Sequence, residues 1–124
     1  MRKADEWQFR IVRDSKRYDI GKGFYDQANS IDTEFLLAQN EKQRTLCFYC
    51  DLPMAQHNRN IRQGLTLERL DVSKGHIKSN CVLCCKSCNS KKVHRDTQLI
   101  QQLLVKWNCP PIEDWDSGRR PCLA

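Results

Sequence analysis

The chain has 124 residues, with 21 Lys or Arg against 15 Asp or Glu, so its formal net charge at pH 7 is +6. This length allows one domain and excludes a second full core. The charge favours an anionic partner, with nucleic acid first, although many basic proteins use their charge only for solubility. The apolar runs are too short to span a bilayer, and the first residues lack the pattern of a secretion signal. We therefore expect an intracellular protein without a membrane partner.

Eight cysteines are many for so short a chain. In a secreted protein they would indicate disulfides. Without a secretion signal, and with cysteines arranged as C-x-x-C pairs, zinc bound in a reducing compartment is the better interpretation. A structural metal also compensates for the small hydrophobic core that a chain of this length can build.

Residues 1–45 are interpreted as a support region for the rest of the chain. Trp7, Phe9 and Ile11 occupy alternate positions, which predicts a short strand over residues 5–13. Side chains at alternate positions of a strand point to the same face, so this strand would be half-buried.

Basic and aromatic side chains are interleaved in residues 18–30, which also contain two glycines. Such a segment suits contact with a nucleic-acid backbone and stacking on bases, but a loop anchored by buried aromatic side chains is the more common outcome. A helix is predicted over residues 31–44, because Asp32 or Thr33 can cap its N-terminus. Its apolar face would consist of Phe35, Leu36 and Leu37.

A first C-x-x-C pair, Cys47-Phe-Tyr-Cys50, follows this helix directly. A turn follows the pair, and the next segment, residues 56–64, is polar and basic. We predict an exposed connector there, although Arg59 and Arg62 could also contact phosphates.

The next part of the chain predicts a hairpin followed by a helix. Residues 65–70 have the composition of a strand, 71–80 form a turn-prone loop, and 81–83 form a second apolar run that can pair back as the return strand. The chain then reaches a further C-x-x-C pair at Cys85-Lys-Ser-Cys88 and a polar stretch, residues 89–95, that can form a helix.

A last helix is predicted over residues 97–107, with Asp96 or Thr97 as its cap. Its apolar residues fall on one side, which indicates a core-facing stripe rather than a partner surface. The stripe consists of Leu99, Ile100, Leu103, Leu104 and Trp107. Two prolines after residue 108 stop the helix, and no regular structure is predicted for the tail to residue 124.

Two C-x-x-C pairs separated by one loop are what a tetrahedral thiolate site needs, because each pair turns two sulfurs toward one ion. We assign the zinc ligands to Cys47, Cys50, Cys85 and Cys88. Cys81 and Cys84 have the same spacing, but an extended strand sends residues an odd number apart to opposite faces, so they cannot easily share one ion. The remaining cysteines would be free, mostly buried thiols: Cys81, Cys84, Cys109 and Cys122. A second zinc bound by Cys109 and Cys122 has no support from their spacing.

Several of these motifs occur together in one known family. They are Cys47 and Cys50, the segment L-E-R-L-D-V-S-K-G-H at 67–76, Asn80, and C-K-S-C-N-S-K-K at 85–92. With them the chain resembles the zinc-knuckle, phage-type branch of the HNH endonucleases, over residues 46–92. The resemblance implies an α+β fold, a small zinc-stapled ββα-metal finger with flanking helices. One domain, 1–124, would contain this core at 46–95 and a C-terminal helix and tail at 96–124.

The resemblance also implies a function and a site. Members of the family are metal-dependent DNA endonucleases that hydrolyse phosphodiester bonds. Glu68 and Asn89 occupy the positions of the family's ligands to a catalytic Mg²⁺ or Mn²⁺, which prefers oxygen ligands. Asn80 matches the Asn that ties the loop down, and the ending C-x-x-C-N-x-x-K supports Cys85 and Cys88 as zinc ligands.

Two departures from the family pattern concern the site itself. Glu68 stands where the family usually has Asp, and Arg69 replaces the His that acts as general base. Arginine stays protonated, so it cannot accept a proton from water, although it can clamp a phosphate. We therefore consider His76 first as the base, then His94 and His57; each of them taken alone is more often a surface histidine.

A nucleic-acid contact is expected around the start of the helix after the second C-x-x-C pair. The residues expected to contact DNA are Arg69, Lys74, Lys91, Lys92 and Arg95. A solvated basic face is nearly as common an explanation for such residues. Asp71 could hold the loop or supply a second carboxylate near the metal.

Two other functions remain open at this point. The chain could be a catalytically inactive zinc-stabilised module that binds nucleic acid through the same surface, or a zinc-stapled domain for protein interaction. A purely structural zinc module needs the four cysteines, but it has no need for Glu68, Asn80 and Asn89 together. Their joint presence favours the nuclease.

Overall fold

The computed structural model describes residues 7–56, 60–91 and 97–107. These residues form four α-helices and a two-stranded antiparallel sheet, an α+β arrangement as expected. In chain order the elements are α1 (Trp7–Lys22), α2 (Thr33–Gln43), β1 (Leu65–Arg69), β2 (Cys81–Cys85), α3 (Lys86–Lys91) and α4 (Thr97–Lys106). A short 3-10 turn, Lys78–Asn80, precedes β2.

The strand predicted over residues 5–13 is wrong, because its described part, from Trp7 on, is the start of the long helix α1. Trp7 and Ile11 are four residues apart, so they share a helical face, and this face continues to the buried Ser15 and Asp19. Phe9, the middle residue of the apparent alternation, is 52% exposed. A three-residue alternation is therefore too short to distinguish a strand from one helical face.

Helix α2 confirms the helix predicted over residues 31–44. Asp32 is its N-cap, and its carboxylate accepts a hydrogen bond from the Phe35 amide at 2.7 Å. The helix ends at Gln43, and its C-cap Arg44 adopts the left-handed conformation. Leu36 is fully buried, but Leu37, which the sequence placed on the apolar face, is 48% exposed.

The predicted hairpin is present, with Leu65 paired to Cys85 and Arg69 paired to Cys81. Strand β2 runs two residues further than the predicted 81–83, and all five of its residues are buried. It is buried on both faces because two hydrophobic clusters flank the hairpin. One cluster joins Leu83 to residues of α1 and α2, and the other joins Val82 to residues of α4.

The two C-terminal helices flank a gap in the described residues. Helix α3 begins at Lys86, three residues earlier than predicted, directly where β2 ends. Helix α4 is confirmed, with Ile100 and Leu104 fully buried in the second cluster. The Trp107 indole donates to the carbonyl of Phe48 at 3.0 Å, which fixes the end of α4 against the first C-x-x-C pair. Among the described helices, none combines the length and apolar character needed to cross a bilayer.

Candidate metal centre and active site

The four cysteines predicted as zinc ligands lie together. The sulfur atoms of Cys47, Cys50, Cys85 and Cys88 are all within 4.8 Å of one another. The Cys50 and Cys85 sulfurs are 3.8 Å apart. Two sulfurs of a tetrahedral zinc site with Zn–S bonds of about 2.3 Å are separated by about 3.8 Å, so the spacing fits a zinc ion. This cluster could therefore hold a structural metal such as zinc.

Two backbone amides point at the sulfur of Cys47. The amides of Tyr49 and Cys85 donate to its sulfur at 3.4 and 3.3 Å. Hydrogen bonds of this kind favour the thiolate that a metal requires. Burial acts in the other direction and raises the pKa of the Cys47 thiol to about 11. A cation in the cluster would balance the charge that burial otherwise disfavours.

Cys81 and Cys84 lie in β2, outside this cluster, as the argument from strand alternation predicted. Both are buried, and burial raises the pKa of each thiol well above its usual value. The Cys84 sulfur is 3.5 Å from the Thr66 hydroxyl. They behave as small core residues. Cys109 and Cys122 lie outside the described residues.

Asn80 holds the loop between the two strands of the hairpin. Its side-chain oxygen accepts a hydrogen bond from the Asp71 amide at 2.9 Å, and its side-chain nitrogen donates to the carbonyls of Asp71 and Gly75 at 2.9 and 3.1 Å. The side chain is fully buried. Gly75 lets the same loop pack closely on Phe24, because a Cβ atom at position 75 would lie 2.9 Å from the Phe24 Cβ. The Asp71 carboxylate accepts from Ser73 and so also stabilises the loop.

Glu68 and Asn89 lie on the same side of the hairpin. The Asn89 amide nitrogen donates to the Thr66 hydroxyl at 3.1 Å and to the Leu67 carbonyl at 3.3 Å. Thr66 and Glu68 are two residues apart in β1, so their side chains leave the same face. Glu68 is only 6% exposed, and the Tyr49 hydroxyl lies 3.5 Å from its carboxylate. Burial, and then the charge of Glu68, raise the pKa of Tyr49, so its hydroxyl stays protonated and donates.

Arg69 leaves the opposite face of β1 and is used within the fold. Its guanidinium donates to the carbonyls of Val72 and Lys74 at 3.1 and 2.9 Å. It also stacks over the Tyr18 ring, with 4.8 Å from the guanidinium carbon to the ring centroid. The predicted phosphate clamp at Arg69 is therefore on the α1 side of the hairpin, away from the face of Glu68 and Asn89.

His76 also lies on the α1 side. Its ring contacts Tyr18 edge-on at 5.7 Å, and its Nδ1 atom is 2.8 Å from the Asp19 carboxylate. The other oxygen of Asp19 accepts from the His76 amide at 2.8 Å. Burial lowers the pKa of His76, an effect that Asp19 opposes and the nearby Arg69 reinforces. His76, the first candidate for the base, is thus held on the face opposite to Glu68.

Asp19 is the residue of this region that sequence reasoning missed. It is 57 positions from His76 and is 2% exposed. The available signal was an acid on the buried face of a helix, at the same spacing as Trp7, Ile11 and Ser15. The incorrect strand prediction concealed this spacing.

The basic residues expected to contact DNA are only partly within the described part of the chain. Lys91 is exposed at the end of α3, and Lys74 is half-buried in the loop. Lys92, His94 and Arg95 lie outside the described residues, as do His57 and Arg59. The structure adds Lys86, which sequence reasoning did not select. Lys86, Lys91 and Arg62 line one open surface cavity of about 300 Å³ beside α3.

Comparisons with models of protein families, with curated protein sequences and with solved structures gave no match. Functional inference for this chain therefore depends on its own residues. These provide four sulfur atoms that could hold a soft or borderline metal, an acid and an amide on the same face of the hairpin, and a basic cavity beside α3.

Proposed function

We propose that this protein is a metal-dependent endonuclease of the HNH type that hydrolyses phosphodiester bonds in DNA. The observation that carries the proposal is the position of Asn89 on α3, hydrogen-bonded to Thr66 and Leu67 of β1, on the face of the strand that the buried Glu68 shares. A hairpin followed at once by a helix, with a four-cysteine cluster at their junction, supports a ββα-metal finger. A helix that served only to complete the cysteine cluster would need no amide at this position.

The donor set at this position fits a hard divalent cation such as Mg²⁺ or Mn²⁺. Glu68 offers a carboxylate oxygen, and Asn89 offers its amide oxygen because its nitrogen is directed to Thr66 and Leu67. Mg²⁺ in such sites takes one or two protein oxygens and completes its shell with water and substrate phosphate. When bound, it would stabilise the charge that develops on the leaving oxygen and make a bound water more acidic.

The protein's own side chains set the geometry of this pair. The Tyr49 hydroxyl lies beside the Glu68 carboxylate, and the hydrogen bonds from Asn89 to Thr66 and Leu67 fix the amide plane. Such neighbours hold ligating groups in one orientation and so reduce the rearrangement needed when substrate binds. Because His76 is held by Asp19 on the other face, it does not act as the base.

Substrate would bind along the basic cavity beside α3. Among the residues that the structure describes, its lining contains Arg62, Lys86 and Lys91 and no carboxylate. The Lys86 ammonium donates to the Asn60 carbonyl at 3.3 Å, which leaves it at the surface. Cations arranged in this way contact phosphates of the nucleic-acid backbone without reading sequence.

One observation favours a second candidate, a catalytically inactive zinc-stabilised module that binds nucleic acid. Arg69, which replaces the base of the family, donates to Val72 and Lys74 and so has a structural use. A chain that had exchanged its base for a loop-stabilising residue would keep its basic surface and lose its chemistry.

Cleavage of supercoiled plasmid by the zinc-loaded protein tests the first candidate against the second. We expect cleavage with Mg²⁺ or Mn²⁺ and none without added ion. Glu68→Gln and Asn89→Ala should each reduce the rate by about 100-fold or more, since even partners of metal ligands typically contribute 10–100-fold. Glu41→Gln, the same change on the exposed face of α2, should leave the rate unchanged.

Gel-shift measurements on the same proteins complete the test. If the wild type is folded and shifts DNA but never cleaves it, the binding module is correct and the nuclease is not. If Glu68→Gln and Asn89→Ala cleave like the wild type, the assigned metal site is wrong.

A further inference from the structure

A cavity of about 270 Å³ lies between α1 and β1, on the face of the hairpin opposite to Glu68. We call it the α1–β1 pocket. One part of its wall is apolar and is formed by Ile11, Leu65 and Leu67. The nuclease proposed above makes no use of this pocket, since its metal ligands leave the other face of β1.

The polar part of the pocket carries two guanidinium groups, from Arg10 and Arg69. The Nε atom of Arg10 is buried and has no hydrogen-bond partner within the part of the chain that the structure describes. Buried donors are almost always paired, so an unpaired one in a cavity wall indicates a ligand that accepts a hydrogen bond. Arg69 is already held in place by the Lys74 carbonyl and the Tyr18 ring, so its orientation needs little further ordering.

Acidic groups near the pocket are occupied by other partners. Asp14 also lines it, but its carboxylate accepts from the Arg13 guanidinium at 3.1 Å. The Asp19 carboxylate is engaged by the amide and ring of His76. The two guanidinium groups therefore leave a positive site that is suited to an anion.

His76 contributes a neutral polar group to the wall. A carboxylate only accepts hydrogen bonds, so the Nδ1 atom that faces Asp19 carries the hydrogen, and Nε2 keeps its lone pair. Burial lowers the pKa of His76, which keeps the ring neutral near pH 7. The Nε2 atom can then accept a hydrogen bond from a ligand hydroxyl.

We propose that the α1–β1 pocket binds one nucleotide, with its phosphate on Arg10 and Arg69 and its sugar or base against the apolar wall. An anion site beside an apolar surface matches the two halves of a nucleotide. The volume is just below the usual range for small-molecule sites, roughly 300–1,000 Å³, so one nucleotide fits better than two. The nucleotide could be free or part of a strand. This inference concerns binding and does not rest on the proposed hydrolysis.

The test is a titration of the zinc-loaded protein in buffer without Mg²⁺ or Mn²⁺. The probes are inorganic phosphate, thymidine 5′-monophosphate and a short oligothymidylate, added separately. Binding is followed by calorimetry and by the carbon-bound ring protons of His76 in NMR spectra, which are identified by their loss in His76→Gln. We expect the monophosphate or the oligothymidylate to shift the His76 signals and to bind more tightly than phosphate.

Arg10→Gln should weaken this binding about tenfold, the effect of one charged hydrogen bond. Arg17→Gln removes the same charge from an exposed position on the same helix and should have no such effect. A response to the monophosphate assigns the pocket to free nucleotides, and a response to the oligothymidylate alone assigns it to a strand; both support the proposal.

Three results would overturn it: unchanged His76 signals with every probe, equal affinity for phosphate and both nucleotide probes, or the same weakening in Arg10→Gln and Arg17→Gln. The His76 signals of the wild type decide the matter even if Arg10→Gln does not fold. Because no step of the titration involves cleavage, its failure is distinct from failure of the plasmid assay.

Discussion

At the scale of single residues, the buried acid Asp19 and its partner His76 connect two parts of the fold through side-chain hydrogen bonds. Both carboxylate oxygens of Asp19 are bonded to His76. One accepts from its backbone amide, and the other lies against its ring nitrogen Nδ1. This pair connects α1 to the loop of the hairpin. Burial lowers the pKa of this imidazole, the Asp19 carboxylate raises it, and the charge of Arg69 lowers it; burial has the largest effect.

We predict that His76 titrates below its ordinary pKa of 6.5. Asp19→Asn should lower this pKa further, because the carboxylate then no longer favours the imidazolium. The folded state then binds fewer protons than the unfolded state. The contribution of His76 to stability is therefore complete above pH 6.5 and is lost as the pH falls through the folded-state pKa. An NMR titration of the His76 ring measures the pKa directly.

Asp14→Asn is the matched control, because Asp14 pairs with the exposed Arg13, whereas the charges that shift the pKa of His76 are those of Asp19 and Arg69. It should leave the His76 titration nearly unchanged. A titration midpoint at or above 6.5 in the wild type, or a rise in Asp19→Asn, would contradict the prediction.

At the scale of elements, the outer edge of β2 is covered by one side chain together with the Phe48 amide, which donates to the Leu83 carbonyl at 3.1 Å. Gln43, the last residue of α2, accepts from the Leu83 amide at 3.0 Å and donates to the Leu83 carbonyl at 2.8 Å. It also donates to the Leu46 carbonyl at 2.9 Å. Its amide thus pairs with β2 as another strand would, and links α2 to the hairpin. Gln43 is 1% exposed, so water cannot replace these bonds.

We therefore expect Gln43→Leu to destabilise the protein by about 2–4 kcal/mol, because the buried Leu83 amide loses its partner and the Leu83 carbonyl keeps only the bond from the Phe48 amide. Gln102→Leu makes the same change at an exposed position of α4 and should cost less than about 0.5 kcal/mol. Urea denaturation of the zinc-loaded proteins gives both values. Equal effects in the two variants would mean that the bonds to Leu83 contribute nothing.

At the scale of the whole molecule, the cysteine cluster joins parts of the chain that are far apart in sequence. Cys47 and Cys50 follow α2, whereas Cys85 ends β2 and Cys88 lies in α3. The two hydrophobic clusters on either side of the hairpin are small. A metal ion in the cysteine cluster would fix their relative position, which a small core cannot do as firmly by packing alone.

We predict that each chain binds about one zinc ion and that Cys88→Ser no longer binds it. Loss of the metal should also broaden and lower the thermal transition, since its binding energy is part of the folding energy. Cys81→Ser changes a buried cysteine outside the cluster and should keep the zinc. Metal analysis after dialysis measures the zinc content, and thermal melts followed by circular dichroism measure the transition. Retention of zinc by Cys88→Ser, or its loss in Cys81→Ser, would show that the ligands are assigned incorrectly.

Several parts of this protein were predictable from sequence because their signals are local. The N-cap Asp32, the short apolar runs on either side of a turn-prone loop, and the apolar stripe of α4 each lie within a few residues. The cysteine cluster was predictable as well, because C-x-x-C spacing constrains geometry directly. Strand alternation was sufficient to exclude Cys81 and Cys84.

Other features were decided only by tertiary structure. The state of residues 7–13 depended on packing, since Trp7 and Ile11 fit a helical face as well as they fit a strand. The contacts of Gln43 with Leu83 and of Asp19 with His76 join residues 40 and 57 positions apart, and no local pattern specifies them. The face on which Arg69 and His76 lie was likewise set by where α1 packs. Sequence by itself determined the cysteine cluster and the hairpin, because these depend on spacing. The fold decided which side chains meet, because burial leaves each polar group only the partners that packing brings within reach.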